Sequence, residues 1–102
     1  MMFVIATALQ AASEPYTALE AEIRKLGDWS NRLPNAWLVQ SRTSALQIRN
    51  RLKPHLRIGD RLFVAQLTNR WAGTGMGEGF PEWLKRRDFG PLPTANDASA
   101  TP

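Results

Sequence analysis

Short apolar runs of strand length alternate with segments of helical period, and this alternation narrows the fold more than any other property of the chain. The run "FVIATAL", residues 3–9, is apolar and partly β-branched. It reads as a central strand covered on both faces. Ser13, Glu14 and Pro15 then form a helix start, because proline is preset for a first helical turn. Tyr16, Leu19, Ile23 and Leu26 follow at helical spacing and lay one apolar stripe against a core. Glu20 and Arg24 stand one turn apart on the wet side. Gly27 suits the left-handed residue that ends a helix.

In "DWSNRLPNAWLVQS", Pro34-Asn35 signals a turn between two extended runs. The second run, residues 36–41, is the stronger strand. The first, residues 28–33, is polar enough for a sheet edge. Thr43 or Ser44 can cap a second helix, with Ala45, Ile48 and Leu52 as its inner stripe, Leu46 off it, and a break near Pro54. Gly59-Asp60 is a turn, and "RLFVAQL", residues 61–67, is a further buried strand. The order strand, helix, strand, strand, helix, strand predicts an α+β, ferredoxin-like βαββαβ domain over residues 1–70, with two helices on one face of an antiparallel sheet. The opposite face needs a cover, and a partner subunit is the economical one. Residues 71–89 follow as a glycine-rich loop and C-terminal extension, in which Gly73, Gly75, Gly77 and Gly79 favour a mobile or sharply bent chain and Pro81 starts a short helix to Arg87. Residues 90–102 have almost nothing to bury and read as a disordered tail.

With 102 residues, 43% of them hydrophobic, the chain suffices for one domain with a real core. It has no cysteine, which removes disulfides and thiolate metal sites and fits a reducing, cytoplasmic setting. Its longest apolar run, residues 1–9, is too short to span a bilayer and lacks the basic flank of a signal peptide. Charge is uneven. Residues 1–41 carry three basic and four acidic side chains, net −1; residues 42–87 carry ten and three, net +7; residues 88–102 carry two acidic, net −2. A basic second half points to an anionic partner, DNA or RNA first, against the plain alternative of a solvated surface.

The segments "FVIATAL", "LGDWSNRLPNAWLV", "SALQIRNRLKPHL", "GDRLFVAQL" and "WAG", in this order, resemble short bacterial SinR-like proteins. These are similar in turn to the CRISPR-associated small endonuclease family, the dimeric adaptors of spacer integration. The resemblance covers residues 2–73. It implies a homodimer built on the sheets, with residues 71–89 able to reach across to the partner. In nuclease members an Asp at the end of the first strand, presented by both subunits, binds a divalent metal that activates water. The matching position here is Ala8, which cannot bind one. Thr7 and Gln10 are uncharged, and nothing in the sequence brings Asp28 or Asp60 beside Ala8. The expectation is therefore a catalytically silent, homodimeric nucleic-acid-binding or adaptor protein without catalytic residues or cofactor. The alternatives are a magnesium- or manganese-dependent endonuclease of the same family, or a structural module for a protein partner.

For nucleic acid, the candidate contacts are Arg42, Arg49, Lys53, Arg57, Arg70, Lys85, Arg86 and Arg87, long-stemmed cations suited to backbone phosphates. Arg49 and Lys53 share a helix face, and Arg51 stands between them in the chain. The four tryptophans, Trp29, Trp37, Trp71 and Trp83, fit a core or interface better than base stacking. His55, the one histidine, reads as an exposed helix-end residue, and "GTGMGEG" lacks the Lys-Ser of a phosphate loop.

Overall fold

The computed structural model describes residues 1–11 and 15–91. Its four strands are β1 (Met2–Ala8), β2 (Trp29–Leu33), β3 (Ala36–Gln40) and β4 (Arg61–Leu67), with helices α1 (Thr17–Arg24), α2 (Ala45–Leu52) and α3 (Phe80–Lys85). The strands form one antiparallel sheet in the order β2-β3-β1-β4. The most apolar strand, β1, is thus central, and the polar β2 is an edge, as their compositions predict.

Register sorts the side chains of β1 between two faces. Phe3 pairs with Val39 and Ile5 with Trp37. These four are buried with Leu19 and Ile23 of α1 and Ile48 and Leu52 of α2 in the main core. Full burial of an aliphatic or Phe side chain contributes about 1.5–3 kcal/mol, so Phe3, Ile5, Ile23, Ile48, Leu52 and Val39, all without exposure, dominate the stability of the sheet–helix layer. Met2, one residue out of phase, faces the other way. It packs with Phe80 and Leu84 of α3 in a second cluster edged by Leu38, Leu67, Trp71 and Trp83. The cover of this face, expected from a partner, is supplied in part by the chain's own residues 71–89. The rest of the face carries Phe63, opposite Ala6 and 66% exposed.

Local chemistry explains the ends of the helices. α1 begins at Thr17, two residues after Pro15; of the expected start, Ser13 and Glu14 lie outside the described residues. Tyr16, expected within the helical stripe, is instead its buried N-cap. Its hydroxyl accepts from the Ala11 N–H and donates to Asp60, which fixes the chain's approach to the helix. α1 ends at Arg24, before Leu26. Gly27 then passes with φ 152°, where a Cβ would collide with the Gln40 carbonyl. That close approach lets the Gln40 N–H donate to the Asp28 carbonyl at 2.8 Å. α2 opens with a full capping box: Ser44 Oγ accepts from the Gln47 N–H at 3.1 Å, and Gln47 Oε1 accepts from the Ser44 N–H at 3.0 Å. It gives way at Lys53 to a 3₁₀ turn, Lys53–His55, which houses Pro54. The glycine-rich segment is sharply bent, with Gly75, Gly77 and Gly79 all at positive φ. α3 ends at Lys85, short of the expected Arg87. Of the expected tail, residues 92–102 lie outside the described residues.

Candidate nucleic-acid interface

Ion pairing divides the cations into two groups. Glu20 takes Arg24 at 3.4 Å, Glu22 takes Lys25 at 3.2 Å and Arg51 at 2.9 Å, and Asp28 takes Arg87. The Arg51 and Lys25 hydrogen bonds hold the Glu22 carboxyl below its ordinary value against the opposing effect of burial, and link α1 to α2. Among the described residues, Arg32, Arg42, Arg49, Lys53, Arg61, Arg70, Lys85 and Arg86 are exposed and have no acidic partner.

Two expected contact residues turn out to be structural. Arg57 lies 4.1 Å from the centroid of the Tyr16 ring and donates from Nη2 to the Pro15 carbonyl at 2.9 Å. Arg87, with only 16% of its side chain exposed, lies over Trp83 at 4.9 Å, donates to the Trp83 carbonyl at 3.1 Å and pairs with Asp28. Both are spent on the fold, for a reason invisible in a charge count: a planar guanidinium stacks on rings and caps carbonyls as readily as it meets phosphate. Nor do the remaining cations share one patch. Arg49 and Lys53 belong to the helix layer, whereas Lys85 and Arg86 stand at the end of α3 on the opposite face of the sheet.

Between the edge strand β2 and α3 runs an open cleft of about 360 Å³. Trp29, Asn31, Arg32, Phe80, Trp83 and Arg86 line it, with Ser30 and Gly79. Trp29 stands 5.3 Å from Trp37, tilted by 57°, and Arg24 lies over both rings. Trp83 is stacked on Phe80 at 6.2 Å, 26° between planes. Arg32 donates to the Met76 carbonyl at 3.1 Å, which ties the glycine-rich segment to β2. A second cleft, of about 600 Å³, is lined by Asn69, Trp71, Lys85, Phe89 and Gly90. Consecutive residues of the α3 end, Lys85 and Arg86, thus serve different clefts. Arg32 and Asn31 were not among the residues singled out from the sequence. The available signal was the polar "SNR" on a strand predicted to be an edge.

The end of β1 corrects one expectation. Ala8 is paired with Arg61, which brings the neighbouring Asp60 to the end of β1 after all. Its carboxylate is occupied: Oδ1 accepts from the Gln10 N–H at 2.8 Å and the Tyr16 hydroxyl at 3.0 Å, and Oδ2 from the Arg57 N–H at 2.7 Å. Burial pushes the Asp60 carboxyl up, but these hydrogen bonds and the Arg57 charge outweigh it and hold it below its ordinary value. No group of three or more His, Cys, Asp or Glu side chains among the described residues could hold a metal ion. His55 closes the 3₁₀ turn and is half-buried. No helix among the described residues is long and apolar enough to cross a membrane.

Protein-family models, curated proteins and solved structures return no match to this chain.

Proposed function

We propose that the chain is a non-catalytic nucleic-acid-binding adaptor of ferredoxin-like fold that acts as a homodimer. The observation that carries the proposal is the set of eight exposed cations without acidic partners, seven of them from Arg42 onward. Cations that the fold does not neutralise remain available to phosphates, which release counterions on binding. The strand order and the βαββαβ arrangement support the ferredoxin-like assignment. A relationship to the CRISPR-associated adaptors rests on the segments quoted above. The saturated Asp60 argues against cleavage, because a carboxylate holding three donors has little left for a metal. The uncovered part of the second sheet face, which carries the exposed Phe63 on the edge strand β4, favours a second copy.

Anisotropy titrations with labelled duplex DNA and single-stranded RNA test the proposal. Affinity should fall steeply with salt, with roughly −0.9 in the log–log slope for each phosphate neutralised on B-DNA. The double change Arg49→Ala, Lys53→Ala should flatten that slope and weaken duplex binding alike across sequences. Absence of binding to either ligand at low salt would reduce the charge to a solvated surface. Cleavage that needs magnesium or manganese and disappears with a carboxylate of this chain would establish the endonuclease instead. Light scattering at micromolar concentration should give twice the chain mass.

A further inference from the structure

We infer that the outer edge of β4 is a strand-addition site for a protein partner, taking an extended segment whose side chains alternate between acidic and apolar. The inference rests on the adaptor part of the proposed function and gives that partner a place and a chemistry.

The two edges of the sheet differ. β2 is short and polar, its register breaks between Ser30 and Leu33, and Pro34 follows it. Such features blunt an edge against further pairing. β4 runs for seven residues without a register break or a proline, and its one charge, Arg61, stands at its start. The ladder fixes the direction of its free groups. The Met1 carbonyl accepts from the Ser41 N–H and the Thr7 N–H donates to the Asn35 carbonyl. Odd-numbered residues along β1 thus turn their backbone toward β3, and even-numbered ones toward β4. Ala6 and Val4 lie opposite Phe63 and Ala65, so these two bond to β1. Leu62, Val64 and Gln66 therefore direct their N–H and C=O groups away from the sheet, and no hydrogen bond among the described residues reaches them. An added strand would pair with all of these groups.

What surrounds the edge selects the strand. α2 packs over β4, with Arg51 turned to Glu22 of α1. Helical spacing then puts Leu46, Arg49 and Lys53 on the opposite flank, which overhangs the open edge. Arg49 and Lys53 are exposed and have no acidic partner. On the other face of the sheet, Phe63 is 66% exposed, with Ala65 next along the same face. A strand beside β4 alternates its side chains between these two surroundings, acidic toward α2 and apolar toward Phe63. The same geometry excludes a second β4 as the occupant. Two copies joined edge to edge would set their α2 helices about 5 Å apart, one strand spacing, where packed helices need about 8–10 Å. They would also bring four like charges together. A partner strand with no helix above it meets neither obstacle. The second copy of the proposed function belongs to the sheet face and leaves the edge free.

The test uses the full chain and a peptide of seven residues, the length of β4, that alternates Glu and Val. A Lys/Val counterpart and a Glu/Pro peptide, which cannot complete a ladder, serve as controls. Amide hydrogen exchange is followed residue by residue. In the free chain Leu62, Val64 and Gln66 should exchange faster than Phe63 and Ala65. With the Glu/Val peptide at about 100 times its Kd, exchange at the three edge amides should slow roughly 100-fold, and the controls should leave it unchanged. Gln66→Pro deletes one outward donor without touching the β1 ladder and should weaken the peptide about 2- to 10-fold, the worth of one hydrogen bond. The double change Arg49→Glu, Lys53→Glu, on the surface, should reverse the preference between the Glu/Val and Lys/Val peptides, and it decides the matter if Gln66→Pro fails to fold. No slowing by the Glu/Val peptide, with duplex DNA still bound, would overturn the site and leave nucleic-acid binding intact. Edge amides whose protection in the free chain rises with protein concentration would place a second copy there and overturn it as well. So would equal slowing by the Lys/Val peptide. Slowing by the Glu/Val peptide in a chain that binds no nucleic acid would uphold the edge site and remove the nucleic-acid part of the proposed function.

Discussion

Truncating Leu84 to alanine separates the two packed layers of the molecule. Leu84 is 2% exposed and joins Phe80 and Met2 in the cluster on the second sheet face. A buried Leu→Ala change costs about 2–5 kcal/mol when the surroundings cannot collapse. α3, however, lies after the last strand and can leave the sheet without breaking a strand pair. Burial of Phe80 and Leu84 contributes roughly 1.5–3 kcal/mol each before the cost of ordering the segment. Removing about 2 kcal/mol of this should raise the undocked population of residues 71–89 on the order of 30-fold, while global stability falls by less than the full cavity cost. Leu52→Ala, in the main core between α2 and the sheet, has no such escape and should lose the whole 2–5 kcal/mol from global unfolding. Amide hydrogen exchange reads the difference. In Leu84→Ala, protection should collapse at Trp83, Arg86 and Arg87, whose N–H groups bond within α3 and its end, and persist through β1. Urea unfolding gives the global term. Equal global losses in the two variants, with β1 amides deprotected in both, would refute the reasoning. Protection of the α3 amides that rises with protein concentration would refute it differently, by placing the segment on a second copy.

Ser44→Ala removes one arm of the capping box and should cost about 1 kcal/mol, a fall in melting temperature of roughly 4–8 °C for a domain of this size; no change would mean that α2 holds without its cap. Gly27→Ala forces a Cβ onto the Gln40 carbonyl at a positive φ and should destabilise by more than about 1 kcal/mol, read by thermal unfolding; a neutral result would refute the close approach of α1's end to β3. Glu22 and Asp60 both have lowered carboxyl pKa values. The unfolded chain therefore takes up their protons at higher pH than the folded one. Their contribution is full above the ordinary values of 4.5 and 3.8 and is lost as pH falls through the lowered ones. Stability measured from pH 6 downward should fall across that window, with a shallower fall in Asp60→Asn; a variant that matches the parent's slope would show that the three donors do not favour the charged form.

The sheet was legible because its signals are local. An apolar run with β-branched residues, a polar run beside it, Pro34-Asn35 between strands and Gly59-Asp60 before the last one each act within a few residues. They gave β1 and β3 to within a residue at each end, and the bounds of β4 as observed, although β4, expected to be buried, is the other edge of the sheet and none of its residues is fully buried. Tyr16 shows the limit. Its spacing matched the stripe of Leu19 and Ile23, but its hydroxyl is claimed by Asp60, 44 residues away, and that bond holds it outside the helix. The candidate interface was legible only in part, for the same reason. Exposed cations on α2 announce themselves by helical spacing. The fates of Arg57 and Arg87 depend on rings and carbonyls brought in by folding, and the cleft depends on α3 lying alongside β2, a relation between residues some fifty positions apart that no local pattern encodes.

The first strand of the chain occupies the middle of the sheet, and both its neighbours come later: Phe3 pairs with Val39, and Ala8 with Arg61. On the ribosome, β1 therefore emerges with two unsatisfied edges and apolar side chains on both faces. α1 can cover one face, but no hydrogen-bonded neighbour exists until β3 has been made, and the second edge waits for β4. Closing these long loops costs entropy before the pairing returns any. The most aggregation-prone stretch is thus also the one that waits longest for its partners. Slow or interrupted synthesis beyond residue 40 should show first as β1 captured by chaperones or by other copies of itself.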